Sequence, residues 1–327
     1  MMIGIFGAGV VGARVAESLS IESQTSIVVY DSSQIVAQRL ARRLSEANSL
    51  IKATSRSELH RAKVVVLAGP LPHTPVAKEF LGKGVSIVST SDDIADCLNL
   101  LSLSELATEN KATLIIGAAS SPGMSGLLVR NLSKAFDSID EVHIALHGTG
   151  GPACARQHHR ALSGQSIGWH DGEWLRRPAG SGRELCWFPE PVGAYDCYRG
   201  ELPDPLLIKR AFPELLRVTA RVSATRRDRV FARLPMLIPP RAEGGMGGLR
   251  VEVRGTKNGE RVVDVVGVAE RVGQVAGVVS GCVARSISVS EITQPGAFVL
   301  GELSLPNEAL LSRVMASGVQ AHAFVRA

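Results

Sequence analysis

The sequence has no apolar run near the ~18 residues that a membrane-spanning helix needs, and it has no internal repeat or low-complexity tract. No membrane partner is expected. Its five cysteines are odd in number and scattered from Cys97 to Cys282. They form neither a disulfide framework nor a recognisable metal spacing, so no metal is expected and a reducing cytoplasm fits. A long basic run is also missing: the net charge is +5, but bases alternate with acids. The densest cluster, Arg226-Arg227-Asp228-Arg229, has no aromatic platform around it. It reads as a solvated loop, and no nucleic acid is expected. The N-terminus runs directly into an apolar strand, which argues against a secretory leader.

What is present is a chain of 327 residues, 45% hydrophobic and 20% charged, enough for two domains with their own cores. Its first dozen residues organise the rest. Ile3-Gly4-Ile5-Phe6 reads as a buried strand, Gly7-Ala8-Gly9-Val10-Val11-Gly12 follows, and residues 13–19 have helical spacing. This is G-x-G-x-x-G between a strand and a helix, the context that gives the motif its meaning. Gly7 suits the tight turn, Gly9 the approach of a pyrophosphate, and Gly12 close helix–strand packing. The helix N-terminus offers free N–H groups to phosphates. A second strand, Ser26–Tyr30, ends in Asp31, 24 residues after Gly7, near the ~20-residue offset of an acid that binds the adenosine ribose. The plainer reading is a glycine-rich turn and an acid that caps the next helix.

The chain then alternates helix and strand. Residues 34–50 have helical spacing, and residues 63–67 form a buried strand ending at Gly69-Pro70. That turn is either a wall of the nicotinamide side or a plain strand-to-helix connection. Residues 85–88 form a strand whose end carries Ser89, Thr90, Ser91, Asp92 and Asp93, a polar group that either serves the ligand or caps the next helix. Residues 94–110 read as one helix, 113–116 as a strand and 127–136 as a helix. Repeated strand–helix units predict a parallel sheet. From Val142 the pattern changes, and residues 148–205 are rich in Gly, Pro, Trp and Arg and weakly periodic. Residues 215–222, 230–234, 249–255 and 261–269 read as strands, with Asn258-Gly259 as a hairpin turn. Residues 273–288 and 307–317 read as helices. The predicted fold is α/β: a Rossmann doubly wound parallel sheet with an α+β domain built on a largely antiparallel sheet.

Several of these segments together resemble the saccharopine dehydrogenase (saccharopine reductase-like) oxidoreductases. They are the glycine motif, Ser89-Thr90-Ser91-Asp92, Ser121-Pro122-Gly123-Met124-Ser125, Gly150-Gly151-Pro152, and Phe188-Pro189-Glu190-Pro191-Val192-Gly193-Ala194-Tyr195. The helix from Gly273 and the Pro295-Gly296 pair complete the likeness. The resemblance implies a dinucleotide-binding domain over residues 1–122, completed by about 273–305, with a substrate and dimerisation domain inserted at 123–272. It implies an NAD(P)-dependent enzyme acting on a C–N bond through an imine, a substrate drawn from an amino acid or amine and an oxo acid, and a homodimer. It places Ser121, Ser125 and Thr149 at the substrate pocket. Ser121 stands where the family has an acid, and Thr149 follows His147 where the family has a cysteine. A substrate other than saccharopine is therefore expected.

Candidate chemical groups follow from their types. His147, at a strand end beside a glycine loop, is either a proton donor or a structural histidine. Arg156, His158, His159 and Arg160 form a basic cluster that either binds a substrate carboxylate or faces solvent. Tyr195 is a hydroxyl donor or a packing residue, and Asp92 a group that orients an amine. Cys154 shows no base partner and reads as inert packing. For the cofactor, the expected binding set is Gly7, Ala8, Gly9, Val10, Val11, Gly12, Asp31, Ser32, Gly69, Pro70, Ser89, Thr90 and Ser91. A carboxylate at Asp31 favours NAD, while Ser32 and Ser33 leave NADP open. Two other functions remain: a homospermidine-synthase-like enzyme that uses NAD without net redox, and a cofactor-sensing protein without chemistry.

Overall fold

The computed structural model describes residues 1–21, 25–236, 238 and 240–324. The chain begins β1 (Met2–Phe6), α1 (Val10–Ser20), β2 (Ser26–Tyr30), α2 (Gln34–Leu44), β3 (Ile51–Ala53). It continues β4 (Val64–Leu67), α3 (Thr74–Leu81), β5 (Ser86–Ser89), α4 (Ile94–Leu101), α5 (Ser104–Glu109), β6 (Thr113–Ile116), α6 (Met124–Ser133). The β-branched runs of β1, β2, β4, β5 and β6 are apolar because the sheet is covered on both faces. Ile3, Ile5, Ile27, Val64, Val66, Ile87 and Leu114 have no exposed surface.

The second part runs β7 (Ser138–His147), α7 (Pro152–Ala161), β8 (Gln165–His170), β9 (Glu173–Pro178), β10 (Glu184–Phe188), β11 (Gly193–Arg199), α8 (Asp204–Ala211), β12 (Arg217–Ser223). Then come α9 (Arg226–Phe231), β13 (Gly247–Lys257), β14 (Glu260–Glu270), α10 (Val272–Ser288), β15 (Gly296–Val299), α11 (Asn307–Ala316) and β16 (Ala321–Ala323).

The first sheet is seven-stranded and parallel, in the order β15-β6-β5-β4-β1-β2-β3. The strand order reverses between β1 and β4, which opens a crevice at the carboxyl ends of those strands. The second sheet has nine strands, with the path β10-β11-β12-β7-β13-β14-β16 and the β8–β9 hairpin branching from β12. Its pairings are antiparallel except for β12 beside β7. Strand parity splits it into two faces. Val142, Ile144, Leu146, Val218 and Val251 enter the core, whereas His143, His147, Thr219 and Ser223 point to the opposite face. After this sheet, α10 packs on α1 and β15 returns to the edge of the first sheet.

Four local expectations are corrected. Residues 230–234 are not a strand: α9 covers Arg226–Phe231, because Thr225 and Asp228 form a reciprocal capping box that starts a helix there. Helix α2 ends at Leu44, and β3 occupies Ile51–Ala53 as an edge strand. The span 94–110 is two helices, broken around Ser102 and Leu103. The weakly periodic region 148–205 contains α7 and the four strands β8–β11. Its strands bury few side chains, so alternation in the sequence is blurred.

Candidate active site

The glycine motif forms the first wall. Gly7 has φ +105°, and a Cβ there would lie 2.6 Å from the Gly69 nitrogen, so the loops after β1 and β4 touch. Gly12 lies against the turn itself: a Cβ would come within 1.8 Å of the Gly7 oxygen. Gly9 is the opposite case, with nothing within 4 Å of the space a Cβ would take. The first helical bond of α1 runs from Ala13 N–H to Gly9 O at 2.8 Å. The N–H groups of Val10, Val11 and Gly12 therefore precede the intrahelical ladder and are available to an anion. Asp31 accepts the Ala8 N–H at 2.8 Å and the Ser33 N–H at 2.9 Å, while Ser32 is exposed beside it. The open space at Gly9, the free amides and the carboxylate at the end of β2 together fit the diphosphate and ribose of a dinucleotide.

A cleft of about 420 Å³ continues from this wall toward the second sheet. Val11, Gly69, Pro70 and Thr90 line it from the first sheet, and Leu146, Gly148 and Gly150 from the second. The loop after β7 closes on α1, since a Cβ on Gly151 would meet Val10 at 2.8 Å. Of the hydroxyl trio after β5, only Thr90 faces the cleft. Ser89 and Ser91 are buried and spent internally: Ser89 Oγ lies 2.9 Å from His73 Nδ1 and accepts the Ser91 N–H at 3.2 Å. Their hydroxyls hold this turn and do not line the cleft.

Polar groups converge at the far end. Asp92, from the turn after β5, and Cys154 and His158, from α7, each place a ligand atom within 4.8 Å of the other two. Cys154 and His158 stand four residues apart, on one face of a helix. Burial pushes the Asp92 carboxyl up to about 6, with His158 pulling it the other way. Burial also lowers the His158 imidazole, against the pull of Asp92 and Asp204. Burial, with Asp92 acting in the same direction, raises the Cys154 thiol to about 12 against a smaller pull from the Gly150 and Gly151 backbone.

Behind them lies Asp204, at the N-terminus of α8 and with no exposed surface. Its Oδ1 accepts the hydroxyls of Ser121 at 2.7 Å and Ser125 at 2.8 Å, and its Oδ2 is buried with no hydrogen-bond partner among the described residues. Burial raises its carboxyl. Ser121 also lines the cleft, and Arg156 joins it from the exposed side of α7. Gln157, buried beside them, donates to Asp93 at 3.2 Å.

Three expected residues lie elsewhere. His147 and Tyr195 stack on each other at 3.8 Å, and His147 Nδ1 bonds Ser223 at 2.8 Å. They occupy the second sheet's other face, because Leu146 is the β7 residue turned to the cleft and its neighbour must point away. His147 also packs against Phe188, and neither His147 nor Tyr195 lines the cleft. Thr149 lines a separate cavity of about 220 Å³ with His159 and Ser223, which also touches His158. Cys154 is not the isolated side chain that the sequence suggests. Asp204, His73 and Gln157 were missed. Asp204 carried a signal, an acid between two prolines at a helix start, which reads locally as a cap.

No protein-family model and no curated protein matches the chain. Solved structures do. The fold is similar to that of apo saccharopine dehydrogenase (L-Glu forming) from Saccharomyces cerevisiae, with a TM-score of 0.72 over 99% of this chain and 100% of that one. What the two share is the fold, at 13% sequence identity. It is also similar to C. glutamicum DAP dehydrogenase in complex with DAP, with a TM-score of 0.54, 14% identity and coverage of 96% and 98%. GenD2 from gentamicin A biosynthesis, in complex with NAD, gives a TM-score of 0.51 at 14% identity and coverage of 100% and 97%.

Proposed function

We propose that this chain is an NAD(P)-dependent oxidoreductase that reduces an imine, or a carbonyl, of an amino-acid-derived small molecule and so acts on a C–N bond. The observation that carries the reading is one continuous cleft. It runs from Val11, at the start of α1 beside Gly9, to the polar cluster of Asp92, Cys154 and His158. The three solved structures named above support it by fold, and one of them holds NAD. In this reading residues 1–122, completed by about 273–305, hold the dinucleotide. Residues 123–272 complete the substrate pocket and carry the contact of a homodimer.

The nicotinamide supplies the hydride when bound. This chain's residues do the rest. Val10, Val11 and Gly12 amides neutralise the diphosphate, and Asp31 accepts a ribose hydroxyl, which favours NAD over NADP. Gly69, Pro70 and Thr90 shape the nicotinamide side. Arg156 pairs with a substrate carboxylate in the cleft. His158 and Asp92 stand at the end where the reacting nitrogen or oxygen must receive a proton. The apolar stretch of Val11, Leu146 and Val272 excludes water from the path between them.

The test is a matrix of amines and oxo acids, with NADH and NADPH oxidation followed by absorbance and cofactor binding by fluorescence. Turnover with a pair carrying at least one carboxylate, and tighter binding of NADH, is the expected result. Absence of binding of either cofactor would remove the reading.

A further inference from the structure

We propose that Asp92, Cys154 and His158 form a binding site for a zinc-type divalent metal ion at the inner end of the cleft. The donor set itself selects the ion. A thiolate, an imidazole and a carboxylate are together the ligands of zinc and its near relatives. Calcium and magnesium take oxygen shells. The arrangement is built from two elements: α7 presents Cys154 and His158 one turn apart on the same face, and the turn after β5 brings Asp92 across to them.

The distances suit it. A tetrahedral zinc with bonds of about 2.0–2.3 Å keeps its ligand atoms roughly 3.3–3.7 Å apart. The three atoms here already lie within 4.8 Å of one another. Three protein donors with the fourth direction facing a cleft is the pattern of a catalytic zinc, whereas a structural zinc is enclosed by four.

An independent observation points the same way. Asp204 is fully buried, and its Oδ2 has no hydrogen-bond partner among the described residues. A metal-bound histidine commonly donates its second ring N–H to a carboxylate. Asp204, fixed by Ser121 and Ser125, keeps one oxygen free for such a bond. A divalent ion would give all three donors a charge to face.

Metal binding at this cluster does not depend on the oxidoreductase reading. Its role does: resting on that reading, the ion's open position takes the carbonyl oxygen or imine nitrogen of the substrate. It would draw electron density from the carbon that accepts the hydride, Asp92 and His158 then acting as ligands rather than proton donors, and water from the cleft would protonate the resulting oxygen or nitrogen.

The experiment uses the untagged full chain. Zinc content is measured by plasma mass spectrometry after dialysis, then Co²⁺ is substituted and the absorption spectrum recorded. The expected result is one ion per chain, with a thiolate-to-cobalt charge-transfer band. Cys154→Ser should lose that band. Asp92→Asn and His158→Gln should lose the ion, and Cys282→Ser, on distant α10, should keep both. Asp204→Asn should weaken zinc about 10–100-fold while leaving the ion in place. A measurement without variants accompanies these: zinc should protect Cys154 from alkylation in the wild-type chain, read by peptide mapping. A wild-type chain without retained metal, a cobalt spectrum lacking the thiolate band, or Cys154 alkylated at the same rate with zinc would each overturn the proposal. NADH binding measured on the zinc-free chain separates the two readings. Binding without zinc retention sinks the metal site alone, and zinc retention without NADH binding sinks the oxidoreductase alone.

Discussion

Asp31 Oδ2 accepts the backbone N–H of Ala8 at 2.8 Å, tying the end of β2 to the glycine turn after β1 across 23 residues of sequence. The carboxylate therefore has two duties. It holds the turn that presents Gly9, and its charge stands where an adenosine ribose would lie. Asp31→Ser removes the charge and keeps a small polar group. NADPH binding should then gain on NADH by roughly 10-fold or more, since relief of one like-charge contact is worth about 1–2 kcal/mol near a surface. Fluorescence titration with both cofactors reads the ratio. An equal loss for both would mean that the turn, and not the ribose, is what Asp31 serves.

Gly9 and Gly12 separate binding from folding. Gly9 has open space where a side chain would go, so Gly9→Val should melt within a few degrees of the wild type and lose NADH binding. Gly12 faces the Gly7 oxygen at 1.8 Å from a Cβ. Gly12→Ala should therefore cost the fold about 1–3 kcal/mol or more, the usual cost of overpacking. Thermal melts and cofactor titrations of both variants decide this. Retained NADH affinity in Gly9→Val would place the dinucleotide elsewhere.

Much of the first sheet was legible because each strand is buried on both faces and writes itself as a β-branched run. The turn between them needs glycine at fixed places. The candidate site was legible only in part. Asp92 and Arg156 were recognisable from strand-end and helix context. Whether His147 faced the cleft depended on parity along β7, and a sequence that pairs Leu146 with His147 does not reveal which side is the core. The meeting of Asp92 with Cys154 and His158 is a tertiary fact, made by a loop from one sheet crossing to a helix of the other. Only the four-residue step between Cys154 and His158 hinted at it. Ser89 and Ser91 misled because hydroxyls that stabilise a turn look like hydroxyls that bind a ligand.

Arg156 lines the cleft from the exposed side of α7, so its guanidinium can swing onto a carboxylate without giving up a buried partner. Arg156→Ala should raise KM for the carboxylate-bearing substrate by roughly 10–100-fold, the scale of one charge-assisted pair, with a smaller change in kcat. Arg156→Lys should recover part of the loss, because a point charge replaces a planar fork. Steady-state kinetics of the two variants tests this, and an unchanged KM in Arg156→Ala would move the carboxylate site to another residue.

His73 gives the fold a pH dependence whose sign can be worked out. It is 3% exposed, with Nε2 3.1 Å from the Gly69 oxygen and Nδ1 2.9 Å from Ser89 Oγ. A carbonyl only accepts, so Nε2 carries the hydrogen and Nδ1 accepts from the serine, which is the neutral ring. Burial is the main reason its pKa is lowered, against the smaller pull of the Gly69 oxygen and Asp96. The unfolded chain takes up a proton near the ordinary histidine value of about 6.5, whereas the folded protein resists it. Stability is then fully present above that value and falls as pH drops below it, by up to about 1.4 kcal/mol per pH unit for one such group. His143 is lowered by burial in the same way and adds to the slope. His73→Gln keeps a donor toward Gly69 and cannot titrate, so its urea midpoint should fall less than the wild type's between pH 7 and pH 5. Equal slopes for the two proteins would show that His73 accepts its proton while folded, and the loop under Gly69 would have to be more open than the structure shows.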